Sequence, residues 1–363
     1  MSRRSYRAAF IGCGRVAEHY VRILTKIDPV DRLAIAACSD PIEAKARSIG
    51  AALGAKPYGN TAQMLAETRP DLAIVMTPSG YHYDHAKQAL EAGCHVLAEK
   101  PVTIIPGQAG ELATLARARG LLYGGVFQNR YNPALRKLRE AVDKGRFGTI
   151  VTAAIRLRWC RTQDYYEDGW HGTWAMDGGV INQQAIHHVD ALNWLCGPIE
   201  AVSASAGNRL NRLEAEDTMV AAIRFSSGAL GTIEATTAAR PVDFEASLSI
   251  VGEKGMVQVG GIALNHIDVW RFVVPEAEDA EIPARWSQEV EFGYGVGHGP
   301  LLRDWVAALD AGAVEPPIPA MQAVQAVELV HALYASVETG NWVRPRDKAQ
   351  SARLGIAPKS RAS

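Results

Sequence analysis

Apolar residues in the first third of the chain come alternately in short unbroken runs and at helical spacing. Tyr6-Arg7-Ala8-Ala9-Phe10-Ile11 is a largely apolar run that stops at Gly12, the pattern of a buried strand in a parallel sheet. From Arg15 to Ile27, Val16, Tyr20, Ile23, Leu24 and Ile27 recur at intervals that predict a helix. Leu33 to Cys38 is a second strand, and Pro41 opens a helix from a permitted early position. Leu72 to Met76 and Cys94 to Ala98 are two more strands, separated by a helix from Asp84 to Ala92 that ends at Gly93. Leu121 to Phe127 is a further strand. Parallel strands need crossover connections, so the alternation predicts an α/β domain with a doubly wound parallel sheet.

Beyond about residue 130 strand patterns follow one another: Thr149 to Trp159, Ala201 to Gly207, Thr218 to Phe225, Ala229 to Thr237, Phe244 to Val251 and Met256 to Val259. Turn signals such as Ser226-Ser227-Gly228 and Gly252-Glu253-Lys254-Gly255 separate them, which predicts a mostly antiparallel sheet. One helix, Ala185 to Leu195, is inserted, and Leu301 to Leu309 and Met321 to Val337 are helical by period. The expected organisation is a parallel-sheet α/β domain over 1–127, an α+β domain over 128–345, and a polar, frayed tail over 346–363.

Lys and Arg number 38 against 39 Asp and Glu, so no basic footprint for nucleic acid is present. No apolar run approaches the roughly 20 residues of a membrane-spanning helix. Cys13, Cys38, Cys94, Cys160 and Cys196 include no Cys-x-x-Cys pair, which argues against a metal site and for free thiols in a reducing, cytoplasmic compartment. Ser2-Arg3-Arg4-Ser5-Tyr6-Arg7 has the arginine pair of an export signal. Its apolar piece, Ala8 to Cys13, is followed at once by Arg15 and Glu18, so the segment is read as the first strand.

Gly12-Cys13-Gly14-Arg15-Val16-Ala17 lies between the first strand and the first helix. Gly12 permits the tight turn, Gly14 lets a pyrophosphate approach the backbone, and the amides of Arg15 and Val16 open the helix toward it. Asp40 ends the second strand, 23 positions past Ala17. A carboxylate there accepts ribose hydroxyls and repels a 2′-phosphate, which favours NAD over NADP. Thr77-Pro78-Ser79-Gly80-Tyr81-His82 and Glu99-Lys100-Pro101 follow two other strands, at the carboxyl ends where such folds bind ligands. By itself Lys100 is most simply a rim charge. Beside a cationic nicotinamide it becomes an acid–base candidate.

The segment from Asp177 to Asp190 gathers Asn182, Gln183, Gln184, His187 and His188 ahead of an apolar helix. On that helix Gln183 and His187 are one turn apart, and Asp190 follows His187 at i+3. A histidine among amides suits a general base for a hydroxyl proton. Adjacent histidines diverge by about 100° on a helix, which disfavours a metal.

Together, the glycine loop, Glu99-Lys100-Pro101, and Gly178-Gly179 followed by His187 resemble the glucose–fructose oxidoreductase/inositol dehydrogenase/rhizopine-catabolism (Gfo/Idh/MocA) family along nearly the whole chain. The resemblance implies an N-terminal Rossmann domain, a C-terminal α+β domain on a large open, mostly antiparallel sheet, and a homodimer or homotetramer joined through it. It implies Lys100 as the acid–base residue and His187 as the general base. Thr77, Pro78, His82, Glu99 and Gln128 would lie at the cofactor, and Asn182 and Gln183 at the substrate. Many relatives have Asp where Gln183 stands, and an amide takes no proton, so a Lys100–His187 arrangement is favoured over a three-residue relay. The double histidine, the amide run, Trp170-His171-Gly172-Thr173-Trp174, Phe127-Gln128-Asn129-Arg130 and Gly297-His298-Gly299-Pro300 are similar to the UDP-N-acetylglucosaminuronate 3-dehydrogenase branch. For such a substrate, Arg156 and Arg158 share one strand face and can meet a carboxylate or pyrophosphate; a sheet-face ion pair is the equal alternative. Inositol or free-sugar oxidation, NAD-using glycosidase action through a 3-keto sugar, and NAD sensing without catalysis are the competing functions.

Overall fold

The computed structural model describes residues 4–290 and 293–356. Its first unit runs to Phe127 and takes in His298–Val324 as well. The strands β1 (Tyr6–Ile11), β2 (Leu33–Ser39), β3 (Lys56–Tyr58), β4 (Leu72–Val75), β5 (His95–Ala98) and β6 (Tyr123–Gly125) form one sheet in the order β3-β2-β1-β4-β5-β6. Every pairing is parallel. The helices α1 (Arg15–Arg22), α2 (Glu43–Leu53), α3 (Thr61–Thr68), α4 (His82–Glu91) and α5 (Pro106–Ala118) lie between the strands in sequence. Central strands are apolar throughout because both faces are covered: Leu72, Ala73, Ile74 and Val75 are all fully buried. Strand order reverses between β1 and β4, so the loops at their carboxyl ends flank the crevice where this topology takes ligands.

The second unit holds Gln128–Gly297 and the chain from Gln325 onward. Its sheet contains β7 (Ile150–Arg158), β8 (Ile199–Gly207), β9 (Thr218–Phe225), β10 (Leu230–Thr236), β11 (Glu245–Gly252), β12 (Gly255–Gly260) and β13 (His266–Phe272), in the order β13-β12-β11-β7-β10-β9-β8. Only β7 and β10 pair in parallel; the other neighbours are antiparallel. Alternation along the strands divides the two faces. Ala153, Ile155 and Leu157 of β7, with Ile233 and Ala235 of β10, are buried on one face. The helices α6 (Pro133–Asp143), α7 (Val180–Gln183) and α8 (Ile186–Cys196) belong to this unit, and α8 packs on β7. The opposite face leaves Val220 and Leu230 exposed.

Two expectations need correction. The span 128–345 is not one unbroken domain. The helix His298–Asp310 buries Trp305 in the first unit, and Gly125 donates its amide to the Ile318 carbonyl at 3.0 Å along β6. A Cβ at Gly124 would fall 2.6 Å from that carbonyl, so the glycine permits the close approach. The polar run from 346 is also anchored as far as 356: Ser351 and Leu354 are buried, and the Glu338 carboxylate accepts from the Ser351 hydroxyl at 2.7 Å and the Ala352 amide at 2.8 Å. The remainder of the expected tail, 357–363, lies outside the described residues.

Candidate active site

Gly12 has φ +95°, and a Cβ on it would fall 2.8 Å from the Met76 carbonyl and the Thr77 amide nitrogen. It is therefore required twice, for its conformation and for the close passage of the first turn against the end of β4. Gly14 differs. A Cβ there meets nothing within 4 Å, and no side chain caps α1 behind it. An uncapped helix start beside open space suits an anionic diphosphate. The Asp40 carboxylate accepts from the Cys13 amide at 2.9 Å and the Ile42 amide at 2.8 Å. These bonds fix a negative charge at the end of β2, where a ribose 2′-phosphate would be repelled. The donor set fits NAD.

His82 is buried and spans the next two loops. Its Nε2 is 2.8 Å from the Thr77 carbonyl and its Nδ1 is 2.6 Å from the Pro101 carbonyl. Two acceptors favour an imidazolium, but burial pushes the ring the other way, below its ordinary value. In either state His82 ties Thr77 and Pro78 to the Glu99-Lys100-Pro101 loop.

Glu99 is buried, accepts from the Tyr20 hydroxyl at 3.0 Å, and lies 3.8 Å from His298 Nε2. Burial would raise this carboxyl, but the hydrogen bond and charge of His298, followed by Lys100 and Tyr20, hold it below the usual carboxylate range. An ionised glutamate is thus fixed immediately before Lys100, which is itself half-buried.

In the second unit, every residue from 177 to 192 is buried except His187. Gly178 turns the chain at φ +76°, and α7 follows. Asn182, expected at the substrate, is instead fully buried and donates to the Asp177 carbonyl at 2.6 Å, while Gln183 is 8% exposed. His188 is packed against Trp159, with ring centroids 6.3 Å apart, and burial lowers its pKa to about 4. Of the two histidines, only His187 is part-exposed. Asp190 is held by Arg130 through bonds of 2.7 and 2.5 Å, so it serves the core. Gln128 is buried at the start of the second unit, and its Nε2 donates to the Tyr294 carbonyl at 3.4 Å.

The structure does not bring Arg156 and Arg158 to this group. Ala153, Ile155 and Leu157 alternate with them and face the helices, so both arginines lie on the opposite, open face. There Arg158 bonds Glu234 at 2.6 and 2.8 Å and Glu245 at 3.0 Å, and Arg156 lies 3.9 Å from Glu234. The ion-pair alternative describes them. Glu216 and Tyr334 carry the converse lesson: absent from the sequence reading, they hold the start of α7. Among the described residues no group of three or more His, Cys, Asp or Glu could hold a metal ion, and no helix is long and apolar enough to cross a membrane.

Comparison with known proteins agrees with this fold. Residues 6–126 match the oxidoreductase family with an NAD-binding Rossmann fold, and residues 135–258 match the GFO/IDH/MocA C-terminal domain. The D-glucoside 3-dehydrogenase of Escherichia coli is 30% identical over 66% of this chain and 72% of its own length. Inositol 2-dehydrogenase 3 of Saccharopolyspora erythraea is 26% identical over 83% of this chain and 89% of its own. The WlbA dehydrogenase of Chromobacterium violaceum, crystallised with NADH and UDP-GlcNAcA, superposes with a TM-score of 0.87 at 34% identity, covering 95% of this chain and 97% of that one. WlbA of Bordetella pertussis, with the same ligands, gives 0.86 at 33% identity, covering 95% and 98%. The chain belongs to the Gfo/Idh/MocA family of oxidoreductases and is an NAD-dependent sugar dehydrogenase.

Proposed function

We propose that the protein oxidises the C3 hydroxyl of a nucleotide-linked uronate, UDP-N-acetylglucosaminuronate being the model substrate, with Lys100 and His187 as its acid–base pair. The observation that supports the catalytic part is the exposure pattern: from 177 to 192 only His187 is part-exposed, with Gln183 at 8%. The substrate class is supported by the likeness to the two WlbA dehydrogenases along 95% of the chain.

NAD, when bound, supplies the acceptor for the hydride leaving the carbinol carbon. His187 takes the hydroxyl proton as that carbon is oxidised. The Lys100 ammonium polarises the same oxygen and lowers the cost of its developing negative charge. Gln183, the last residue of α7, orients the sugar and takes no proton, while Asn182, fully buried with its amide on the Asp177 carbonyl, supports the turn from within. The open face of the second-unit sheet is the surface through which copies of the chain would form a dimer or tetramer, and the free thiols suit a cytoplasmic enzyme.

The likeness to the E. coli D-glucoside 3-dehydrogenase supports a second substrate class, simple glycosides. Incubating the protein and NAD with UDP-N-acetylglucosaminuronate, a glucoside and inositols, and following NADH with product analysis, separates the readings. A 3-keto nucleotide sugar supports the proposal. Turnover of the glucoside or inositols alone contradicts it, and a released aglycone indicates glycosidase action.

A further inference from the structure

We propose that Glu216, together with Tyr334, is a positioning residue of the sugar site: it clamps three successive amides at the start of α7 and so fixes the segment that carries Asn182, Gln183 and His187. The proposal rests on the reading of Gln183 and His187 as the substrate-facing residues.

A helix start leaves its first amides without intrahelical partners. Gly179 has no side chain to cap α7. Glu216, just before β9, does so from outside the helix. Its backbone carbonyl accepts from the Val180 amide at 2.9 Å, and its Oε1 accepts from the Ile181 amide at 3.1 Å. Tyr334, from the helix Ala320–Thr339, accepts from the Gly179 amide at 2.8 Å and donates to the same Oε1 at 3.0 Å. The packing has no slack, since a Cβ on Gly179 would lie 2.2 Å from the Glu216 carbonyl oxygen and 2.3 Å from Oε2.

Neighbouring carboxylates are occupied elsewhere. Asp217 accepts from the amides of Arg209, Leu210 and Asn211, and Asp177 from that of Gly172. Neither supplies the bonds to 179–181. Glu216 is buried, and among the described residues no cation is paired with it that would account for a carboxylate there. Its bonds converge instead on the backbone turn that precedes His187.

The test uses the full chain with Glu216→Ala, Glu216→Gln and Tyr334→Phe. Residue-resolved amide exchange is measured without ligand, then turnover, sugar KM and NADH affinity. In Glu216→Ala the Ile181 amide, which loses its carboxylate acceptor, should exchange at least about tenfold faster. Turnover should fall at least about tenfold, with NADH affinity unchanged within about twofold. Glu216→Gln, whose amide oxygen still accepts, should restore turnover to within about threefold of wild type. A protected Ile181 amide in Glu216→Ala, or turnover within about twofold of wild type, would overturn the proposal. If Glu216→Ala does not fold, Tyr334→Phe decides: faster Gly179 exchange with lower turnover supports the clamp, and wild-type values for either reject it. Failure of the sugar reading is distinguishable, because wild type would then oxidise no sugar while the exchange data still report on the clamp.

Discussion

The Tyr20 hydroxyl donates to the Glu99 carboxylate at 3.0 Å, joining the helix that follows the glycine loop to the residue that precedes Lys100. Both groups are buried, and His298 lies against them, its ring centroid 5.1 Å from that of Tyr20. The cofactor-binding helix and the proposed acid–base loop therefore share one ionised hydrogen bond.

Removing that bond has a defined cost. Tyr20→Phe leaves the ring and deletes the donor to a buried carboxylate, so it should destabilise the protein by about 1.5–3 kcal/mol. Urea denaturation measures this. The loss should be largest above the ordinary carboxylate pKa. It should shrink as pH falls through the lower folded value of Glu99, because protonation then removes the charge that the bond serves.

Asp40 is the proposed determinant of coenzyme choice. With its carboxylate held by the Cys13 and Ile42 amides, Asp40→Ala removes a fixed negative charge from the end of β2. The NAD/NADP ratio of kcat/KM should fall by at least about tenfold, equivalent to about 1.4 kcal/mol. Steady-state kinetics with both coenzymes measures it, and an unchanged ratio would place the ribose elsewhere.

Glu216 makes stability depend on pH in the opposite direction from Glu99. Burial raises its pKa to about 7, with only partial compensation from the Ile181 amide and Tyr334. The folded state therefore keeps the proton longer than the unfolded chain does. Its favourable contribution is complete below the ordinary glutamate value and is lost as pH rises through about 7. Glu216→Gln should melt above wild type at pH of about 8 and close to it at pH of about 4. Paired melting curves across that range test the sign.

The parts legible in the sequence are those whose physical reason is local. The glycine loop, the apolar runs of β1, β4 and β5, and Glu99-Lys100-Pro101 each carry their signal within a few residues. β3 was not legible, because Lys56-Pro57-Tyr58 is a short edge strand with no apolar run. α5 was missed for a similar reason: it buries only Ala109, Leu112 and Ala116. The return of His298–Val324 to the first unit depends on contacts with β6, far away in sequence. Glu216 and Tyr334 are 118 residues apart, and neither lies in a recognisable motif. Arg156 and Arg158 show the limit of a correct period. Alternation put them on one face, but which face only the packing of α8 on β7 could decide.

One amine, from the loop after β5, and one imidazole, from α8, are proposed to carry the acid–base chemistry of sugar oxidation. The most direct measurement is single-turnover NADH formation by wild type, Lys100→Ala and His187→Ala at saturating coenzyme and sugar, with NADH binding measured separately. Each substitution should slow the oxidation by about 10²–10⁴-fold, while NADH affinity in His187→Ala stays within about threefold of wild type. A rate within a few-fold of wild type in either variant would contradict the assignment.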